Sequence, residues 1–128
     1  MKWTKLLLAL PVLVMTGCAS SFTNLTPLQQ SRNANNLYPV EVAYVSNQTS
    51  LRWESIHPYV LVNGQLYDMH PTPLMTNRWE GFVPAMPMDS AVTYRYKFDY
   101  QFNNFSAQPQ HDSAYSPPYH LQIMEQQQ

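Results

Sequence analysis

The sequence predicts an all-β sandwich of about seven antiparallel strands, and three observations carry that prediction. Residues Val92 to Phe102 alternate without a fault: Val92, Tyr94, Tyr96, Phe98, Tyr100 and Phe102 fill the even positions, and Thr93, Arg95, Lys97, Asp99 and Gln101 the odd ones. Such alternation buries one face of a strand and leaves the other wet. Asn63-Gly64 stands between two apolar runs, the strongest short hairpin signal in the chain. Eleven prolines, and no sustained apolar period of 3.6 residues, argue against long helices.

The elements follow in chain order. Tyr38 to Val45 is the first strand, with Tyr38, Val40, Val42 and Tyr44 on one face. Ser46 to Ser50 is a polar turn, and Leu51 to Ile56 a short second strand. Pro58 to Val62 and Gln65 to Met69 pair through Asn63-Gly64, because both residues of a type I′ turn need positive φ. His70-Pro71-Thr72-Pro73 ends that hairpin. Arg78 to Pro84 places Trp79, Gly81 and Val83 opposite Glu80 and Phe82. A one-residue slip in Val92–Phe102 would expose six large side chains, so its register is firmly set. Asn103 to Ser116 reads as a polar loop, and Tyr119, Leu121 and Ile123 alternate on a closing strand. Short strands at this spacing favour an immunoglobulin-like sandwich, with a small barrel as the alternative closure. Phe82-Val83-Pro84 and Tyr94-Arg95-Tyr96-Lys97-Phe98 resemble the strand motifs of early-set and glycogen-binding modules. That resemblance spans under a quarter of the chain and implies architecture more than ligand.

Upstream of the strands lies a different composition. Lys2 and Lys5 precede an apolar run from Leu6 to Met15, and Thr16-Gly17 lead into Cys18, the single cysteine. This is a signal-peptide layout, too short to cross a bilayer core of roughly 30 Å. Its end resembles the lipobox of bacterial lipoproteins, with Met15 where that family usually carries leucine. The resemblance implies cleavage before Cys18 and lipidation of Cys18. With three acyl chains it implies stable anchoring, since one chain holds a protein only marginally. Ala19 and Ser20 follow, with no aspartate to retain the protein at an inner membrane, which implies the outer membrane of a Gram-negative cell. The expected organisation is therefore a leader over 1–17, a lipidated and flexible polar tether over 18–37, and the sandwich over 38–125. Phe22, Leu25 and Leu28 mark the part of the tether able to dock on the domain.

Cleavage removes two of seven basic residues against eight acidic ones, so the mature net charge is −3. Nucleic acid is then a poor partner, and a polybasic contact with anionic lipid is unsupported. A single cysteine forbids an internal disulfide, so the domain depends on its apolar core. No glycine-rich phosphate loop is present. His57, His70, His111 and His120 form no i, i+2 or i, i+4 pair. His111-Asp112 with His120 is the nearest approach to a ligand set, and we expect neither a metal, a cofactor nor a catalytic centre. Asn24, Asn47 and Asn104 head Asn-x-Ser/Thr triplets that we read as chance.

Aromatic side chains are the enriched binding chemistry, being apolar with a polar edge. Those of the alternating strand belong to the core. Trp53, Trp79, Tyr67, Tyr115 and Tyr119 lie on shorter strands or near loops and form the candidate binding surface. Trp53, between Arg52 and Glu54, is the stronger surface candidate of the two tryptophans. The expected function is a non-catalytic, membrane-anchored envelope module that binds another protein. A glycan-binding module is the alternative.

Overall fold

The computed structural model describes residues 20–126, and they form a two-layer β-sandwich. The leader and Cys18 lie outside the described residues. Ten strands run in order: β1 Ser21–Asn24, β2 Gln29–Ser31, β3 Leu37–Val45, β4 Leu51–Val62, β5 Gln65–Asp68, β6 His70–Pro71, β7 Arg78–Pro84, β8 Ala91–Phe102, β9 Gln110–Tyr115 and β10 Tyr119–Met124. One sheet has the order β1-β3-β7-β6. The other has β2-β10-β8-β4-β5, with β9 also paired to β8. This is the strand order of an immunoglobulin-like sandwich, its first segment divided between the two sheets.

The long alternating strand is the pivot of the larger sheet. Tyr94, Tyr96, Phe98 and Tyr100 are buried, and the opposing β3 face contributes Tyr38, Val40, Val42 and Tyr44. The hairpin at Asn63-Gly64 has φ of 51° and 76°, the left-handed pair a type I′ turn requires.

From Ser20 onward, the segment expected as a flexible tether over 18–37 is not the tether its polar composition suggests. β1 pairs antiparallel with β3, Ser21 opposite Val45, and β2 pairs parallel with β10. The reason lies in the core. Buried tyrosines bring hydroxyl groups that need partners. Asn24 accepts a 2.7 Å hydrogen bond from the Tyr96 hydroxyl and donates one of 2.8 Å to Tyr94 Oη. Thr26 Oγ1 lies 3.2 Å from Tyr96 Oη and accepts from the Glu41 N–H at 2.9 Å. Phe22 adds an edge-to-face contact with Phe98 at 5.1 Å. The chain between β1 and β2 thus closes the polar part of the core.

Two further boundaries differ from expectation. Leu51–Ile56 and Pro58–Val62 are one continuous strand, β4, whose pairing to β8 shifts register between Arg52 and His57. Pro58 follows that break, where a missing ladder donor is tolerated. The stretch read as a loop over 103–116 contains β9, which continues the β10 edge of β8. Ser116 bridges the two at Pro117-Pro118. Its N–H donates to Tyr96 O at 2.9 Å, and its hydroxyl accepts from the Tyr96 N–H at 2.8 Å.

β5 passes to β6 through Met69 alone, so the chain crosses between sheets in one step. Met69 fills the corner beside Gly81, where an added Cβ would meet Met69 Cγ at 3.0 Å. Pairing places the loops 46–50, 72–77 and 103–109 at one pole of the sandwich, together with Ser20. The Asn63-Gly64 turn, the 85–90 loop and Met124 lie at the other. We call these the proximal and distal poles.

Candidate functional site

The outer face of the larger sheet is built from the odd residues of β8 and their cross-strand partners. Lys97 lies opposite Tyr59 on β4 and opposite Tyr115 on β9. Directly opposed residues share a face, so the lysine stem runs between two rings. Lys97 Nζ sits 5.8 Å from the Tyr59 centroid and 6.0 Å from that of Tyr115. The Arg95 guanidinium lies 4.9 Å over the Tyr115 ring. Both are cation–π distances. Arg95 Nε is buried without a hydrogen-bond partner among the described residues.

Charge on this face is arranged around Lys97. Asp99 Oδ1 is 3.2 Å from its Nζ, and that hydrogen bond holds the ammonium pKa above its ordinary value. Asp99 also accepts a 2.6 Å bond from the Ser113 hydroxyl. His57 stacks on Tyr59, centroids 4.5 Å apart and 10° between planes, and its Nε2 meets Asp68 at 3.1 Å. Beside this row, a polar cleft of about 350 Å³ is lined by Ser55, His57, Asp99, His111 and Asp112 among others. It opens where β4 leaves β8 at the register shift. There Ser55 Oγ replaces a ladder acceptor for the Gln101 N–H at 2.8 Å. Burial raises the Tyr100 hydroxyl pKa, and Asp112 at 3.5 Å adds to the effect.

Of the five aromatic candidates, the structure separates surface from core. Tyr115 is exposed and belongs to the row just described. Trp53 is 44% exposed and stacks on Trp79, 6.5 Å between centroids and 6° between planes. Tyr67 is exposed on the short edge strand β5. Trp79 is a correction: it is 7% exposed and packs edge-on against Phe98 at 5.1 Å. It shares its face of β7 with Gly81 and Val83, and that is the face turned into the core. Tyr119 is half-buried against Tyr94 and Tyr96, at 5.8 and 5.7 Å. Burial raises its pKa. Trp53, Tyr67 and Tyr115 make no ring contact with one another among the described residues.

His111, Asp112 and His120 are not brought together. His120 Nδ1 engages Thr93 Oγ1 at 2.9 Å on the half of β8 paired to β10, whereas His111 lies opposite Gln101. Among the described residues, no group of three or more His, Cys, Asp or Glu side chains is arranged to hold a metal. Reasoning from sequence missed Tyr59, Arg95 and His57 as site members. The odd face of β8 showed which residues were wet, but not that two tyrosines would flank them.

No known protein family and no curated protein matches this sequence.

Proposed function

We propose that the protein is a lipid-anchored, non-catalytic module of the cell envelope. In this reading the outer face of its larger sheet binds a partner protein. The row Tyr59–Lys97–Tyr115 with Arg95 over it is the observation that carries the reading. Tyrosine and arginine concentrate binding energy at interfaces, because they combine apolar area with directional polar groups. Arg95 and Lys97 are held in place by ring contacts, so little side-chain freedom is lost on binding. The anchor rests on the lipobox-like residues ending at Cys18, and in a Gram-negative cell Ala19 and Ser20 favour the outer membrane. The glycan alternative has less support, since the three exposed ring candidates do not gather into one platform.

A photo-crosslinking residue at Tyr115, compared with one at the exposed Phe82 on the other sheet, tests the face. The reading requires a discrete protein adduct from position 115 in intact envelopes and none from 82. Equal labelling from both would refute it. Cys18→Ser tests the anchor separately: it should release the protein from membranes or stall it as precursor.

A further inference from the structure

We infer that the proximal pole of the sandwich seats directly on a lipid bilayer, with Leu74, Met75 and Phe105 entering the interfacial layer. This rests on the reading of Cys18 as the lipid-bearing residue, and four observations support it.

The first is reach. Ser20 is fixed to the pole, its Oγ accepting a 2.9 Å hydrogen bond from the Tyr44 hydroxyl. Cys18 precedes Ser20 by two residues, at most about 7 Å of extended chain. A lipid on Cys18 therefore leaves no tether, and this pole has nowhere to rest except the membrane surface.

The second is charge. None of the residues in the loops 46–50, 72–77 and 103–109 is Asp, Glu, Lys or Arg. Besides their apolar tips they carry chiefly Ser, Thr, Asn and Gln, suited to hydrogen-bonding headgroups without a charge to desolvate. The distal pole differs. Its exposed Met86 and Met88 sit among Asp89, Arg32 and Glu125, with Arg32 and Glu125 paired at 2.7 Å.

The third is apolar exposure. Leu74 is 103% and Phe105 111% exposed, each at the tip of its loop, with Met75 and Val45 beside them. Trp53 lies just below, with half its ring open, at the height where tryptophan favours a membrane interface.

The fourth is backbone strain. Thr72-Pro73-Leu74-Met75 closes a turn through a 3.2 Å bond from Met75 N–H to Thr72 O. Leu74 has φ of 65° at the third position, where a type II turn ordinarily takes glycine. A leucine there is strained and gains nothing from packing inside the domain. Its side chain has an outlet only beyond the domain, and the nearest apolar medium is the one that Cys18 would enter.

The test uses the matured full-length protein in vesicles of phosphatidylethanolamine and phosphatidylglycerol at three to one. An environment-sensitive dye is placed at Leu74→Cys, at Phe105→Cys and, as the distal comparison, at Met88→Cys. The expected result is a blue shift at 74 and 105, with bilayer nitroxides quenching them several-fold more than 88. Dye at 74 and 105 open to aqueous iodide, or deepest at 88, overturns the inference. The parent chain reports the anchor independently, because it takes up dye only if Cys18 is a free thiol. Should it do so, the same three labels are read in a Cys18→Ser background on added vesicles. Quenching at 74 and 105 there still supports the seating while the anchor reading fails, and aqueous labels there overturn the seating as well.

Discussion

The Tyr96 hydroxyl donates a 2.7 Å hydrogen bond to Asn24 Oδ1 across 72 residues of sequence. This contact joins the first strand of the domain to the middle of β8, the pivot of the larger sheet. It makes the polar N-terminal segment part of the core. Asn24→Ala should cost about 1–3 kcal/mol, because it leaves the Tyr94 hydroxyl without its partner and takes from the Tyr96 hydroxyl its shortest acceptor, leaving it Thr26 Oγ1 at 3.2 Å and Glu41 O at 3.3 Å. Tyr96→Phe removes the donor at the other end. Denaturant unfolding of the two single variants and the double variant should give a combined loss smaller than the sum of the single losses. Additive losses would show that the contact contributes nothing.

Alkali should unfold the domain earlier than a typical one. Burial raises the Tyr96 pKa well above the ordinary phenol value, with Thr26 opposing the shift, and it raises Tyr100 and Tyr119 in the same direction. The unfolded chain loses these protons from about pH 10, while the native state keeps them. The native state then binds more protons, so stability is full below that pH and falls as pH rises above it. Melting temperatures measured from pH 8 to 11 should drop at the upper end, and less steeply for Tyr96→Phe than for the parent.

Much of the fold was legible because side-chain alternation is a local signal. The β8 register, the alternation of β3 and the Asn63-Gly64 turn were readable without knowing their partners. The alternation of β7 was readable too, but not which of its faces turns inward, and Trp79 was placed on the wrong one. The parts that were not legible depend on long-range pairing. Gln29–Ser31 is polar and short, and becomes a strand only because the β10 edge is free beside it. His111 and Asp112 interrupt any apolar pattern in β9, which is held by its ladder to β8. The candidate face was half legible. Tyr115 stood out as an aromatic near a loop, but Tyr59 meets Lys97 only through the β4–β8 register, which a bulge sets.

The two tryptophans should respond differently to truncation. Trp79 is buried against Phe98, so Trp79→Ala should cost about 3–5 kcal/mol. Trp53 stacks on Trp79, meets Tyr44 edge-on at 6.3 Å and is 44% exposed, so Trp53→Ala should cost about 0.5–1.5 kcal/mol, the range of an aromatic pair. Thermal melts of both variants decide the matter. A Trp53 loss as large as that of Trp79 would make it a core residue.

Leu74→Gly should stabilise the domain in solution. Glycine adopts positive φ at no steric cost, whereas leucine in that region is disfavoured by about 1–2 kcal/mol. Part of this gain is offset by the greater freedom of glycine in the unfolded chain, about 0.5–1 kcal/mol. Because the Leu74 side chain is fully exposed, no packing is lost. The net gain should be about 0.5–1 kcal/mol, read as a higher denaturant midpoint at unchanged slope. Leu74→Asn, which also tolerates this conformation, should move the midpoint the same way. If leucine serves the membrane, both variants in a Cys18→Ser background should also bind vesicles more weakly than Cys18→Ser alone, so that stability and partitioning change in opposite directions. A lower midpoint for Leu74→Gly would show that the side chain packs against the domain and that the turn is not strained.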